Sequence, residues 1–241
     1  KRLVEQEHSF WNRLRKNFNL PELPLFQNPK QQWKDIYRTF LKFHWYEDPR
    51  EPEMQSARGG LSARKNSVMM RKLQTQMLAK TKMESNAIYS MFFMVDWCRE
   101  GGCGFGFIQK LSKHQREKCV LKSLGSFKGV INYAYYNNGH VLGSRAQPVD
   151  NRELREFQKG DVVGFILDRK EGVVEFFRNG VSQAKIHDLY LTAAADLFPA
   201  VDFWWQGSQM TIVECKRLPS WPDRAYIELQ QKIPKDLRAD Q

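Results

Sequence analysis

Residues 160–180 read GDVVGFILDRKEGVVEFFRNG. Gly160-Asp161 opens an apolar run from Val162 to Leu167 that ends on Asp168, and Arg169-Lys170-Glu171-Gly172 turns the chain. Val173-Val174-Glu175-Phe176-Phe177 returns as a second strand. Short apolar runs bounded by glycine and charged residues fit buried strands better than helices. Arg178-Asn179-Gly180-Val181 turns again, and its Asn-Gly pair supplies the positive backbone angles that a tight hairpin needs. Leu197-Phe198-Pro199-Ala200-Val201-Asp202-Phe203 adds one more apolar strand, entered through a proline. The stretch 157–213 is therefore expected to be antiparallel β.

The order and spacing of these pieces resemble the SPRY domain, whose usual pattern is a GDxIG strand, an LD strand end, an FxxNG hairpin and a YPAV strand. Upstream, Ile88 to Trp97 corresponds to the family's YxWEV strand but lacks its Trp-Glu pair, and Gly104-Phe105-Gly106-Phe107-Ile108 matches the strand that follows. Residues 125–139 match its next hairpin, with Asn138-Gly139 at the turn and Phe127-Lys128-Gly129 where Ser-Trp-Gly is usual. The resemblance implies a mainly β fold, an antiparallel sandwich over residues 67–218 with a tail at 219–241. Its activity would be protein recognition by loops at one end of the sandwich.

The 241 residues have room for one large domain with a smaller module, and 41% hydrophobic residues suffice for a core. No run approaches the roughly 18 apolar residues of a membrane span, and no secretory signal opens the chain. The chain begins with Lys1, as a fragment would. Four cysteines are too few and too irregular for a disulfide scaffold, so a reducing intracellular compartment is expected, cytoplasmic in the first instance. Net charge is +11 and uneven: residues 1–86 hold 17 Lys+Arg against 9 Asp+Glu, while residues 87–215 hold 15 against 14. The basic N-terminal third points to an acidic partner such as RNA or a tubulin surface, or else to a solvated face and a basic linker.

Residues 1–18 carry Leu3, Phe10, Trp11, Leu14 and Phe18 at helical spacing, and Asn28-Pro29 starts a second helix bearing Trp33, Ile36, Tyr37, Phe40 and Trp45. Lys1-Arg2-Leu3, Phe10 to Leu14 and Trp33 to Phe40 resemble the second half of an F-box and the segment after it. The resemblance implies that residues 1–46 dock a Skp-type adaptor through Phe10, Trp11, Leu14, Trp33 and Tyr37. The family's opening LPxEL helix is missing, since Leu20-Pro21-Glu22-Leu23 lies downstream of the matching helix and is followed by Pro24 and Pro29. A helical pair that merely packs on the sandwich fits the same residues. Residues 47–66, with the small and basic SARGGLSARKNS (56–67), read as a flexible linker or arm, and 67–83 as strands rather than a helix. A short helix is expected from Arg224 to Gln231.

Catalytic chemistry finds no foothold. Gly102-Cys103-Gly104-Phe105-Gly106 echoes a phosphate loop, but its neighbours are β-forming and no helix follows, so close strand approach explains the glycines better. The five histidines stand apart, with no nucleophile elbow, P-loop or His-Glu-x-x-His near them. Asp161, Asp168 and Glu175 read as strand-end hydrogen-bonding groups. No enzyme and no cofactor is expected. Cys98, Cys103, His114 and Cys119 have donors suited to zinc at looser spacing than a zinc knuckle, and free buried cysteine is the plainer reading.

What remains is binding. In SPRY adaptors that capture short peptides, residues just after the PAV strand form part of the pocket, and here they are Phe203-Trp204-Trp205-Gln206-Gly207. The resemblance puts Trp205 where such adaptors carry a contacting tryptophan. In a regular strand only one of Trp204 and Trp205 enters the core, leaving the other as an interface anchor or packed against the N-terminal helices or the tail. The loop 110–128, with Lys113, Arg116 and Lys122 among its basic residues, is expected beside them and favours an acidic ligand. Two functions follow. The first is a substrate-recognition adaptor of an SCF-type ubiquitin ligase, with Skp-type docking at the N-terminus and a substrate protein on the SPRY domain. The second is a structural subunit of a large assembly, an axonemal microtubule complex or a ribonucleoprotein, with cytoskeletal or ciliary placement.

Overall fold

A computed structural model describes residues 45–46, 54–57, 62–65, 75–79, 82–110, 124–127, 129–143, 155–194 and 196–227. Among them the chain forms β1 (Trp45–Tyr46), β2 (Met54–Ala57), β3 (Ser62–Lys65), β4 (Thr75–Ala79), β5 (Ile88–Trp97) and β6 (Cys103–Gln109). A 3-10 turn at Leu124–Ser126 precedes β7 (Asn132–Tyr136), β8 (Val141–Gly143), β9 (Val162–Asp168), β10 (Val173–Arg178) and β11 (Val181–His187). Helix α1 (Tyr190–Ala193), β12 (Leu197–Phe203) and β13 (Gln209–Leu218) complete it. The strands build two sheets, in the orders β1-β4-β12-β6-β7-β8 and β11-β10-β9-β5-β13-β3-β2, and every pairing is antiparallel. The expected sandwich is present. Asn179 and Gly180 hold φ of 47° and 70° at the β10–β11 turn, as their residue types demand.

Between the sheets lies an aromatic core. Phe105 of β6 sits within 5.5–5.9 Å, centroid to centroid, of Phe93, Tyr135, Phe157 and Phe176, and Phe107 packs on Tyr133 and Phe165. Continuous apolar runs replace alternation in β5 and β9 because their second faces are covered too. Ile88, Phe92, Val162, Ile166, Phe177 and Leu218 form an outer cluster on which Trp221, Tyr226 and Ile227 of the tail lie. Tyr226 joins Ser90 and Glu214 through its hydroxyl. On the other sheet, Leu124, Phe127 and Val130 cover Ile108, Ala134, Tyr136 and Ala200. Gly106 is required in this layer: a Cβ there would stand 1.9 Å from the Tyr133 carbonyl oxygen, so a side chain would force β6 from β7. The glycines that echo a phosphate loop are thus strand-packing residues.

Several expectations change here. The 47–66 arm is in part built into the sandwich: β3 pairs with β13, and β2 pairs with β3. Small side chains suit a strand as well as a linker, and only the partner strand decides between them. Trp45, placed on a helix by its spacing, lies in β1 opposite Ala79. The strand reading of 67–83 is met at β4 and at the bridge of Met83 to Leu197. Residues 1–44, and with them Phe10, Trp11, Leu14, Trp33 and Tyr37, lie outside the described residues. The tail turns helical at 224–227, where Asp223 Oδ1 accepts from the Tyr226 amide; the rest of the expected helix lies outside the described residues.

Candidate functional site

One end of the sandwich gathers the chemistry. β12 stops at Phe203 and β13 starts at Gln209, so residues 204–208 form the connection between the two sheets. Beside it runs 98–102, which links β5 to β6 and also crosses from one sheet to the other. The two loops are joined where the Trp204 amide donates to the Gly102 carbonyl at 2.8 Å. β3 supplies the third wall: the Gly207 amide donates to the Lys65 carbonyl, and the Lys65 amide to the Ser208 carbonyl. Lys65 itself is buried, and its Nζ donates to the Trp204 carbonyl at 2.9 Å and the Phe203 carbonyl at 3.4 Å. A basic residue counted with the arm thus caps the end of β12.

Because the backbone leaves the strand at Trp204, neither indole enters the core. Trp204 is 39% exposed and Trp205 41%, and Trp97, at the end of β5, is 40% exposed beside them. This corrects the expectation that a regular strand would bury one of the pair. Trp97 lies against Gly207, whose φ of +82° gives the loop its turn. Trp205 is wedged: its ring occupies the space above Gly102, and the Arg99 guanidinium stacks on it at 4.7 Å. Gln206 is exposed next to it.

Gly102 is the residue that admits Trp205. A Cβ at 102 would stand 1.9 Å from Trp205 Cδ1, so Gly102→Ala must expel the indole. Since the ring is already partly in water, the expected stability change is within about 1 kcal/mol. The expected signal is a shift of tryptophan emission to longer wavelength with an unchanged far-UV spectrum; unaltered emission would contradict the seating described.

Below the loops, Asn137 clamps 98–103 from the β7–β8 turn: its Nδ2 donates to the Arg99 carbonyl at 2.8 Å, and its Oδ1 accepts from the Cys103 amide at 3.1 Å. Buried Asp202 accepts through Oδ2 from the Tyr136 hydroxyl at 2.7 Å and the Leu124 amide at 2.9 Å, tying the outer cover to β12. Cys98 and Cys103 are hydrogen-bonded to each other. The Cys103 S–H holds the Cys98 thiol below its usual range, whereas burial pushes Cys103 well above it. Of the zinc quartet the structure brings these two together; His114 and Cys119, like Lys113, Arg116 and Lys122, lie outside the described residues. Among the described residues, no three His, Cys, Asp or Glu side chains converge as a metal site would require.

Sequence reasoning placed Trp204, Trp205 and Gln206 at this end but missed Trp97, Arg99, Gly102, Asn137 and Lys65. Trp97 was legible as the last residue of an apolar strand, one step beyond Asp96, where the core pattern breaks. Lys65 was not, since its role depends on pairing with a strand some 140 residues away.

A two-layer antiparallel body with paired loops and exposed indoles at one end has the build of a protein-interaction module. The model of the SPRY domain family matches residues 90–216, more than half of the chain, and the chain belongs to that family. Strands β2 and β3 lie outside the matched range yet complete the second sheet. Among solved structures, the SPRY domain of human HERC1 shares the fold at 19% identity and a TM-score of 0.50, covering 68% of this chain and 95% of that one. The TRIM65 PSpry domain (12% identity, 80% and 100% covered, TM-score 0.47) is also similar. So is the Drosophila melanogaster neuralized NHR1 domain (13% identity, 72% and 98% covered, TM-score 0.42). No curated protein matches the sequence. No helix among the described residues is long and apolar enough to cross a membrane.

Proposed function

We propose that this chain is a non-enzymatic recognition subunit that grips a protein partner with the rim formed by Trp97, Arg99, Trp204, Trp205 and Gln206. The observation that carries this is the exposure of three indoles, each near 40%, one ending β5 and two on a loop whose backbone is already fixed. Exposed tryptophan and arginine are the commonest energetic anchors of interfaces. Anchors held before binding lose little freedom when the partner arrives. Lys113, Arg116 and Lys122, which lie outside the described residues, add basic charge that would favour an acidic segment of the partner.

In this reading residues 1–46 dock a Skp-type adaptor through Phe10, Trp11, Leu14, Trp33 and Tyr37, and the rim recruits the substrate of an SCF-type ubiquitin ligase. The F-box-like spacing of those residues supports it. The basic N-terminal third favours a second reading, a scaffold subunit held on tubulin or RNA. That reading has less free charge to draw on than composition suggests, because Lys65 is spent inside the sandwich. Pull-down of the full chain with the Skp-type adaptor separates the two. Retention of the adaptor, lost on Trp11→Ala, is expected for the ligase subunit. No retention, with partner binding that falls steeply between low and physiological salt, would leave the scaffold.

A further inference from the structure

We propose that Cys98 and Cys103 form a hydroperoxide-sensitive dithiol that closes to a disulfide and staples the two sheets together at the rim. Cys98 directly follows the last residue of β5, in the seven-stranded sheet, and Cys103 is the first residue of β6, in the six-stranded sheet. Their side chains are already hydrogen-bonded across this crossover. Cys103 is buried and Cys98 is partly open, so one sulfur meets solvent and the other waits behind it. Asn137 holds the backbone at both ends of the segment, at Arg99 and at Cys103, which keeps the pair in register. The remaining described cysteine, Cys215, is buried on β13 and takes no part.

The chemistry balances with a hydroperoxide as oxidant. The Cys98 thiolate attacks the outer peroxide oxygen, the O–O bond breaks, and the sulfenic acid Cys98–S–OH forms while hydroxide leaves and takes up a proton as water. Cys103 sulfur then attacks the Cys98 sulfur; the S–S bond forms, the S–OH bond breaks, and the leaving hydroxide carries away the Cys103 proton as a second water. Two thiols lose two electrons and one peroxide gains them. Closing the bond brings the sulfurs to about 2.05 Å, so the intervening residues must shift. Those residues include Arg99, which stacks on Trp205, and Gly102, which seats it. The oxidation state is thereby coupled to the shape of the rim. Its effect on partner capture rests on the rim being the binding face; the thiol chemistry does not.

The test uses the reduced full chain, titrated with hydrogen peroxide, blocked with an alkylating agent and mapped by mass spectrometry. A product two hydrogens lighter, with 98 linked to 103 and reversed by dithiothreitol, is expected, together with a change in tryptophan emission. Cys98→Ser should slow peroxide-driven thiol loss at Cys103 by about tenfold or more, since the buried thiol lacks access. Cys103→Ser should let Cys98 run on to the sulfinic acid, because nothing is left to trap the sulfenic acid. The proposal is overturned if both thiols are alkylated in full after peroxide treatment that oxidises exposed methionines. A linkage of Cys98 to Cys119 instead, or zinc bound at one per chain and lost with either cysteine, overturns it equally. An intact 98–103 disulfide with unchanged partner affinity would sink only the link to the rim.

Discussion

Phe105→Ala is expected to lower the unfolding free energy by about 3–5 kcal/mol, the usual toll for removing a large buried ring. Phe105 is wholly buried and touches rings from both sheets: Tyr135 on its own side, Phe93 and Phe176 across the interface, and Phe157 from the segment before β9. Deleting it takes contacts from all four at once. Phe93, Tyr135 and Phe176 cannot collapse into the space, because each of their strands is paired on both sides. A domain stable by about 5–15 kcal/mol would lose about a fifth or more of its margin. Urea unfolding should show a lower midpoint with an unchanged slope, and Phe105→Leu should recover most of the loss. A loss below about 1 kcal/mol for Phe105→Ala would mean that the two sheets do not meet through this ring.

Trp205→Ala is expected to act on binding and leave folding alone. With 41% of its surface in water and one flank on Gly102, the indole contributes little to the core, so stability should change by no more than about 1 kcal/mol. As an interface anchor its loss should weaken the partner by about 2 kcal/mol or more, roughly 30-fold in dissociation constant. Arg99→Ala should cost less, since the guanidinium supports the ring from one side and leaves its other edge in place. High salt distinguishes this from attachment through charge: an indole anchor keeps its affinity as ionic strength rises. Equal affinity of Trp205→Ala and the parent chain would move the binding face elsewhere.

How much of this was legible in the residues differs from one part to another. The β9–β10–β11 unit was readable because its turns need particular residues, Asn179 and Gly180 above all, and its strands are short apolar runs. The sheet order was not, because β3 reaches β13 across about 140 residues and nothing local in Ser62–Lys65 marks the pairing. The same cause hid Lys65, whose charge reads as exposed until the carbonyls it caps are in place. At the rim, the pair Trp204-Trp205 was legible from its place after the PAV strand. The period-2 rule misjudged its burial because the strand ends one residue earlier, at Phe203. Gly102 and Arg99 became functional candidates only when the two sheet-crossing loops were seen side by side.

The central claim is that this rim is the face that meets a partner, and site-specific photocrosslinking tests it most directly. A photoreactive phenylalanine analogue would be placed in the full chain at position 204, and separately at 190, an exposed position in α1. Each chain would be incubated with the partner recovered by the parent chain and irradiated. The account predicts a covalent adduct from position 204, none from 190, and loss of the 204 adduct when Trp205→Ala is added. An adduct from 190 with none from 204 would contradict it.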